Sequence, residues 1–272
     1  MFRKLICLGL SVCSLSLTAT ERLPWFGNDL EWEARGAFAV QWYDRVDVNG
    51  QKIHHSSFDT LQKLSIALSP EPEWSGELEA VFASSDSRSW GADSLKAMGR
   101  YLFMDDIIGD LISLSSGLSI TLPTGDAKRD LGRRHHSSLE LEGHLALGKE
   151  ISSGRYWNAR FFNIFALAQG VCGYPRLNIE GGLEFNHKDQ HQIGLKGEWL
   201  CGLGSHDLPM QLEDFRGYHK IDHHSFDLVC YYQYWWEYTG YWTAEWVCRL
   251  DAKNAPKDLN RLQISFLYPF GI

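Results

Sequence analysis

Beyond its first residues the chain has no apolar run approaching the roughly 20 residues that a membrane-crossing helix needs, so helical membrane proteins are excluded. Basic residues are also short: 26 Lys and Arg stand against 34 Asp and Glu, a net charge of -8. Nucleic-acid binders need clustered cations to meet phosphate, and that class is excluded as well. Proline is scarce, at 8 in 272 residues, and the 6 cysteines show no C-x-x-C pair and no dense spacing. That distribution fits neither a zinc knuckle nor a small disulfide scaffold. Helical periodicity is weak throughout. Aromatics are abundant instead, at 13% of residues beside a charged fraction of only 22%, a balance that disordered chains do not show. A mean hydropathy of -0.27 suits a soluble protein, yet it equally suits a barrel that points half of each strand into water.

The first residues have their own pattern. Met1-Phe2-Arg3-Lys4 is a basic start, and Leu5 to Val12 is a short apolar stretch. Ser16, Thr18, Ala19 and Thr20 then supply small residues for cleavage. This is the layout of a secretory signal, which predicts residues 1–20 as a signal peptide and 21–272 as the exported domain. Four cysteines remain after it: Cys172, Cys201, Cys230 and Cys248. Cys201, Cys230 and Cys248 share phase with apolar neighbours and read as small outward-facing hydrophobes.

Along the rest of the chain the period is two. Leu30, Trp32, Ala34, Gly36, Phe38, Val40 and Trp42 alternate with Glu31, Glu33, Arg35, Ala37, Ala39 and Gln41. Such alternation marks a strand with one apolar and one wet face. It returns at Trp74 to Phe82, Leu139 to Leu147, Leu177 to Phe185, Ile193 to Trp199, Phe226 to Tyr238, Trp242 to Leu250 and Leu262 to Phe270. Many of these runs approach the 9 to 11 residues that cross a bilayer, longer than the five or six usual in soluble sandwiches. Short joins at Ser69 to Pro72, Met104 to Ile108, Lys149 to Gly154, Asn186 to Gln190 and Tyr238 to Gly240 alternate with longer polar stretches. Those are Asp44 to Ser57, Ser84 to Asp93, Thr124 to His136, Gly204 to His224 and Asp251 to Leu259. Short turns on one side and long loops on the other are the habit of outer-membrane barrels. The predicted fold is all-β: a single transmembrane antiparallel up-and-down barrel of about twelve strands, both termini periplasmic, in a Gram-negative-type outer membrane.

Aromatic placement agrees with this. Tyr232, Tyr234, Trp236, Tyr238, Trp242 and Trp246 gather where two strands meet a turn, as an interfacial girdle would. The last strand is apolar at every second position, Leu262, Ile264, Phe266, Tyr268, Phe270, before the chain ends on Gly271-Ile272. A strand of that pattern resembles the signal read by the β-barrel assembly machinery. The expected partners are therefore that machinery, outer-membrane lipid and a small solute.

Gly109-Asp110, then Gly117-Leu118-Ser119-Ile120-Thr121-Leu122-Pro123-Thr124-Gly125-Asp126, then Leu131-Gly132 and an alternating strand from Ser137 resemble the outer-membrane family labelled "MetA-pathway of phenol degradation". The resemblance covers roughly Gly109 to Gly204. It implies an outer-membrane transporter of the kind often found beside pathways for aromatic compounds, and it bears on the barrel more than on any substrate.

On the wet face the predicted lumen residues are Glu31, Glu33, Arg35, Glu77, Glu79, Arg100, Glu140, Glu142, His144, Glu180, Glu184, Lys196, Glu198, Glu245 and Arg249, with Lys63, Lys96 and Arg261 among the cations. An acidic excess along a pore favours cations or neutral solutes. The competing expectation is that these charges pair and fill a closed, structural or adhesive barrel. Three histidine pairs, His54-His55, His135-His136 and His223-His224, each read as opening a strand after a long loop, in strands two, six and ten, and so as a possible crown at the outer rim. Neighbouring residues on a strand face opposite ways, so only one of each pair points inward, and the span of a barrel mouth exceeds one coordination sphere; no metal site and no cofactor are expected. A lipid-modifying enzyme is the weakest alternative. The His-x-Ser-Asn-Gly setting of outer-membrane phospholipases is absent, no acid is fixed beside His136 and Ser138, and His187 and His191 fall in a turn; no catalytic residues are assigned.

Overall fold

The alternating runs fold as strands because each has one face that needs to leave water and one that does not. The computed structural model describes residues 22–153, 156–236 and 239–271. The expected signal segment and Tyr238 of the aromatic cluster lie outside the described residues. Twelve strands follow in order: β1 Glu31–Val48, β2 Gln51–Glu71, β3 Trp74–Ser85, β4 Arg88–Met104, β5 Ser113–Pro123, β6 Glu140–Ser153, β7 Trp157–Gly170, β8 Arg176–His187, β9 His191–Leu203, β10 Asp222–Trp235, β11 Tyr241–Lys253 and β12 Asn260–Gly271. Each pairs antiparallel with its sequence neighbours, and β1 pairs with β12, from Glu31 opposite Gly271 to Trp42 opposite Asn260. The sheet is thus a closed barrel without an edge, the arrangement that leaves no ladder amide unpaired.

Alternation sorts the side chains. Phe38, Leu64, Leu78, Leu95, Leu118, Leu141, Phe165, Leu195, Trp246 and Ile264 point outward and are exposed; Leu118 is 75% exposed. Cys230 and Cys248 lie on this outward face too, and Cys172, Cys201, Cys230 and Cys248 are all free thiols. At the end where the short turns sit, aromatics ring the outside: Trp32 stacks on Phe270, while Trp74 meets Tyr101, Tyr101 meets Phe103 and Tyr232 meets Trp242 edge to face.

Two of the five expected long loops are strands instead. Asp44 to Ser57 continues the β1–β2 ladder to Val48 opposite Gln51, turning only at Asn49-Gly50, both with positive φ. Ser84 to Asp93 likewise turns at residues 86–87, because Ser85 still pairs with Arg88. These extensions carry polar residues on both faces, so period two fades even though the backbone ladder persists. Asn-Gly is also the preferred pair for a tight two-residue hairpin, which is the local signal that marks the first turn. The stretches 124–139 and 204–221 are true loops; each contains short 310 turns, and both fold over the far mouth of the barrel.

Several inward positions are glycines with a neighbouring ring laid over them. A Cβ at Gly182 would enter the ring of Phe162, at Gly194 that of Tyr231, and at Gly202 that of His223. Missing side chains therefore make room for large ones on the next strand. Gly182→Val is expected to push Phe162 off the wall and cost about 1–3 kcal/mol by overpacking. A lowered urea midpoint with the barrel still formed is the expected result.

Candidate functional site in the lumen

Every one of the fifteen lumen residues named from the sequence faces inward, and the structure brings most of them into ion pairs. Arg35 binds Glu33 and lies 3.7 Å from Glu77. Lys196 is 2.8 Å from Glu198, Arg261 is 3.1 Å from Glu245, and Arg249 is 2.7 Å from Asp227. Glu184 accepts from the Tyr231 hydroxyl. Glu31 accepts from the Asn28 amide at 2.6 Å, while Arg100 donates to Ser75 Oγ at 3.1 Å. Glu79 and His144 are buried on the same wall. The acids legible in the sequence are thus matched by bases, several of which the alternation did not expose: Arg22, Arg133, Arg134, Arg160 and Arg176.

Twelve strands enclose more space than their own side chains fill. Two segments from outside the ladder occupy it. The first is residues 22–27, which run into the lumen from the short-turn end. Leu23 and Trp25 pack on Ala146, Phe162 and Ile164. Trp25 Nε1 donates to Asp106 at 3.1 Å, the Arg160 guanidinium lies 4.9 Å from the Trp25 ring and that of Arg100 4.5 Å from the Phe26 ring. Deepest, Arg22 reaches Glu142 at 3.1 Å and also binds Glu180. Asp106 sits in the β4–β5 turn. Partial burial raises its pKa, but donors from Ser113, the Glu150 amide and Trp25 outweigh burial and hold its carboxyl below the usual range.

The second closure is the loop 124–139 at the opposite end. Arg133 clamps Asp93 with two hydrogen bonds of 2.9 Å, and His135 Nε2 meets the same carboxylate at 2.9 Å. Arg134 donates to Ser225 and Asp227, bridging to β10. Gly132 O accepts from Gln41, whose amide also binds Asp59. Above this loop Leu208, Phe215, Tyr218 and Ile221 form a small hydrophobic core with Tyr43, Val46, Val48, Leu131 and Leu259. The loop 204–221 is therefore a lid packed over the loop 124–139. Arg176 joins the two closures: it is 3.6 Å from Glu142, the partner of Arg22, and it donates to Arg134 O at 3.3 Å.

The histidine crown does not form. His54 and His55 lie inside β2, where the continued ladder carries them away from the mouth. His224 turns outward to Asp251 at 3.4 Å. His136 and His223 do meet, with ring centroids 5.0 Å apart beneath Tyr218. Burial, reinforced by Arg176, holds the His136 imidazole well below its ordinary pKa, and burial pushes the Tyr218 hydroxyl up. No cluster of three metal-ligating side chains occurs among the described residues.

Beside residues 22–28, on the short-turn side of the lumen, lies a cavity of about 560 Å3 that neither outer loop lines. Trp25, Phe26, Phe162 and Trp235 line it, as do Lys63, Lys196, Glu198, Glu245 and Arg261.

Against known proteins, no family model and no curated sequence matches the chain. Solved structures do. The COG4313 outer membrane channel from Pseudomonas putida F1 superposes with a TM-score of 0.63 at 12% identity, covering 93% of this chain and 100% of that one. The KdgM porin in complex with disordered oligogalacturonate gives 0.53 at 10%, covering 87% and 99%. The NanC porin gives 0.50 at 8%, covering 85% and 98%. At these identities the likeness establishes the fold, the twelve-stranded barrel of outer-membrane channels and porins.

Asp227→Ala is expected to strip both Arg249 and Arg134 of their carboxylate and cost about 3–5 kcal/mol, read as a loss of urea stability. The cap should also weaken in acid. His136 is neutral when folded but takes a proton when unfolded, so stability falls as pH drops below about 6.5, by about 1.4 kcal/mol per unit. Protease nicking of loop 204–221 should rise over that range in the native protein and much less in His136→Gln.

Proposed function

We propose that the chain is an outer-membrane channel for small solutes, held closed at rest. Both termini would be periplasmic, with the 124–139 and 204–221 loops facing outside. The observation that carries this reading is that two segments outside the ladder, residues 22–27 and the loop 124–139, occupy space that the barrel encloses. A barrel with a purely structural role needs no such space to block. Residues 22–27 precede the first strand and are held by Arg22, Trp25 and Phe26, so their release opens the lumen without breaking a strand pair. Since lumen acids are matched by bases, selectivity is set locally along the path, not by a net negative field.

Other features support the same reading. The outward stripe of Leu262, Ile264, Phe266, Tyr268 and Phe270 on β12 fits recognition by the assembly machinery and then contact with lipid. The resemblance of Gly109 to Gly204 to the "MetA-pathway of phenol degradation" family fits a transport role, and the three solved barrels named above are a channel and two porins.

Single-channel recording of the mature protein in a planar bilayer tests this. Deletion of residues 21–27 should raise conductance several-fold over the intact chain, and Trp25→Ala should give frequent brief openings. A folded deletion variant that passes no current would sink the conduit and favour a closed structural barrel.

A further inference from the structure

The cations that line the cavity are almost all partnered. Arg22 has Glu142 and Glu180, Arg160 has Glu150, Lys196 has Glu198 and Arg261 has Glu245. Lys63 on β2 differs: among the described residues its ammonium has no hydrogen bond and no ion pair. Its ladder neighbours explain why. Ala37 on β1 and Val81 on β3 flank it, both buried and neither able to supply charge. Glu79 and Glu245 influence it only through space. An ammonium taken out of bulk water with no carboxylate in contact keeps its donors unused, and it draws an anion wherever there is room for one. Here there is room, because Lys63 fronts the cavity of about 560 Å3, well inside the size range of small-molecule sites.

The rest of the lining defines the anion. Trp25, Phe26 and Phe162 present apolar surface to the same space. Glu198 on β9 and Glu245 on β11 line the same space and repel a second negative charge. We infer that Lys63 is the carboxylate-binding residue of a lumen subsite for small organic monoanions with an apolar body. The inference rests on the conduit reading, whose traffic it specifies: monocarboxylates pause at Lys63, while neutral amides and dicarboxylates do not. Methylene groups of such a ligand gain from burial on the aromatic wall, and its carboxylate gains a charge-assisted hydrogen bond.

Equilibrium dialysis of labelled hexanoate against the mature protein in detergent micelles tests this, with hexanamide as the neutral isostere and adipate as the dianion. Saturable hexanoate binding is expected, weakened roughly tenfold or more in Lys63→Met and largely kept in Lys63→Arg. Hexanamide and adipate should show only micelle partitioning. Equal hexanoate binding to wild type and to Lys63→Met, with both shown folded by heat-resistant gel migration, overturns the subsite; so does hexanamide binding as well as hexanoate. The conduit is judged separately by current. A barrel that binds hexanoate through Lys63 yet passes no current once residues 21–27 are removed refutes the conduit and keeps the site. A conducting barrel without Lys63-dependent binding does the reverse.

Discussion

Pairing of β1 with β12 turns a meander into a ring, and the rest of the molecule follows from that closure. A closed ladder has no edge to protect, so its outer face can be apolar without inviting another strand. It also fixes the inward residues of all twelve strands around one axis. Charges tens of residues apart in sequence then meet at contact distance, as Arg22 meets Glu142 and Arg133 meets Asp93. The same circumference leaves a lumen that side chains from the wall cannot fill. Water, a ligand or a further piece of chain has to occupy it.

This protein uses further pieces of chain at both ends, and they are held differently. The inner segment is fixed by a few side chains set into a wall notched by glycine: Trp25 lies against Gly148 and beside Phe162, which itself lies across Gly182. The outer loop is fixed by the bidentate Arg133–Asp93 pair, by Arg134 to Asp227 and by a hydrophobic lid. The first arrangement depends on one short stretch, the second on several segments at once. Release from the inner end therefore disturbs much less of the structure. Arg176 between them makes the two closures neighbours along the β6–β8 wall.

How much was legible in the sequence follows from which constraints are local. Alternation over Leu30 to Trp42, or over Leu262 to Phe270, is enough to assign a strand and its wet face, and Glu77, Glu79, Glu140, Glu142, Glu180 and Glu184 are buried inside the barrel. Where both faces become polar, as from Asp44 to Ser57, alternation vanishes although the ladder continues, so a strand looks like a loop. Arg22, Arg133 and Arg134 were invisible as lumen residues for a different reason. They belong to no strand, and nothing in their spacing says that the chain there turns back into the barrel. The double arginine in the middle of a loop was the available hint.

By itself, then, the sequence determined the barrel, its strand number, its apolar exterior and the polarity of its interior, because period two is a property of neighbours along the chain. Which segments enter the interior and which charges cancel there were decided only by the tertiary structure. Those outcomes depend on distances across a ring, and a ring exists only once its first and last strands have found each other.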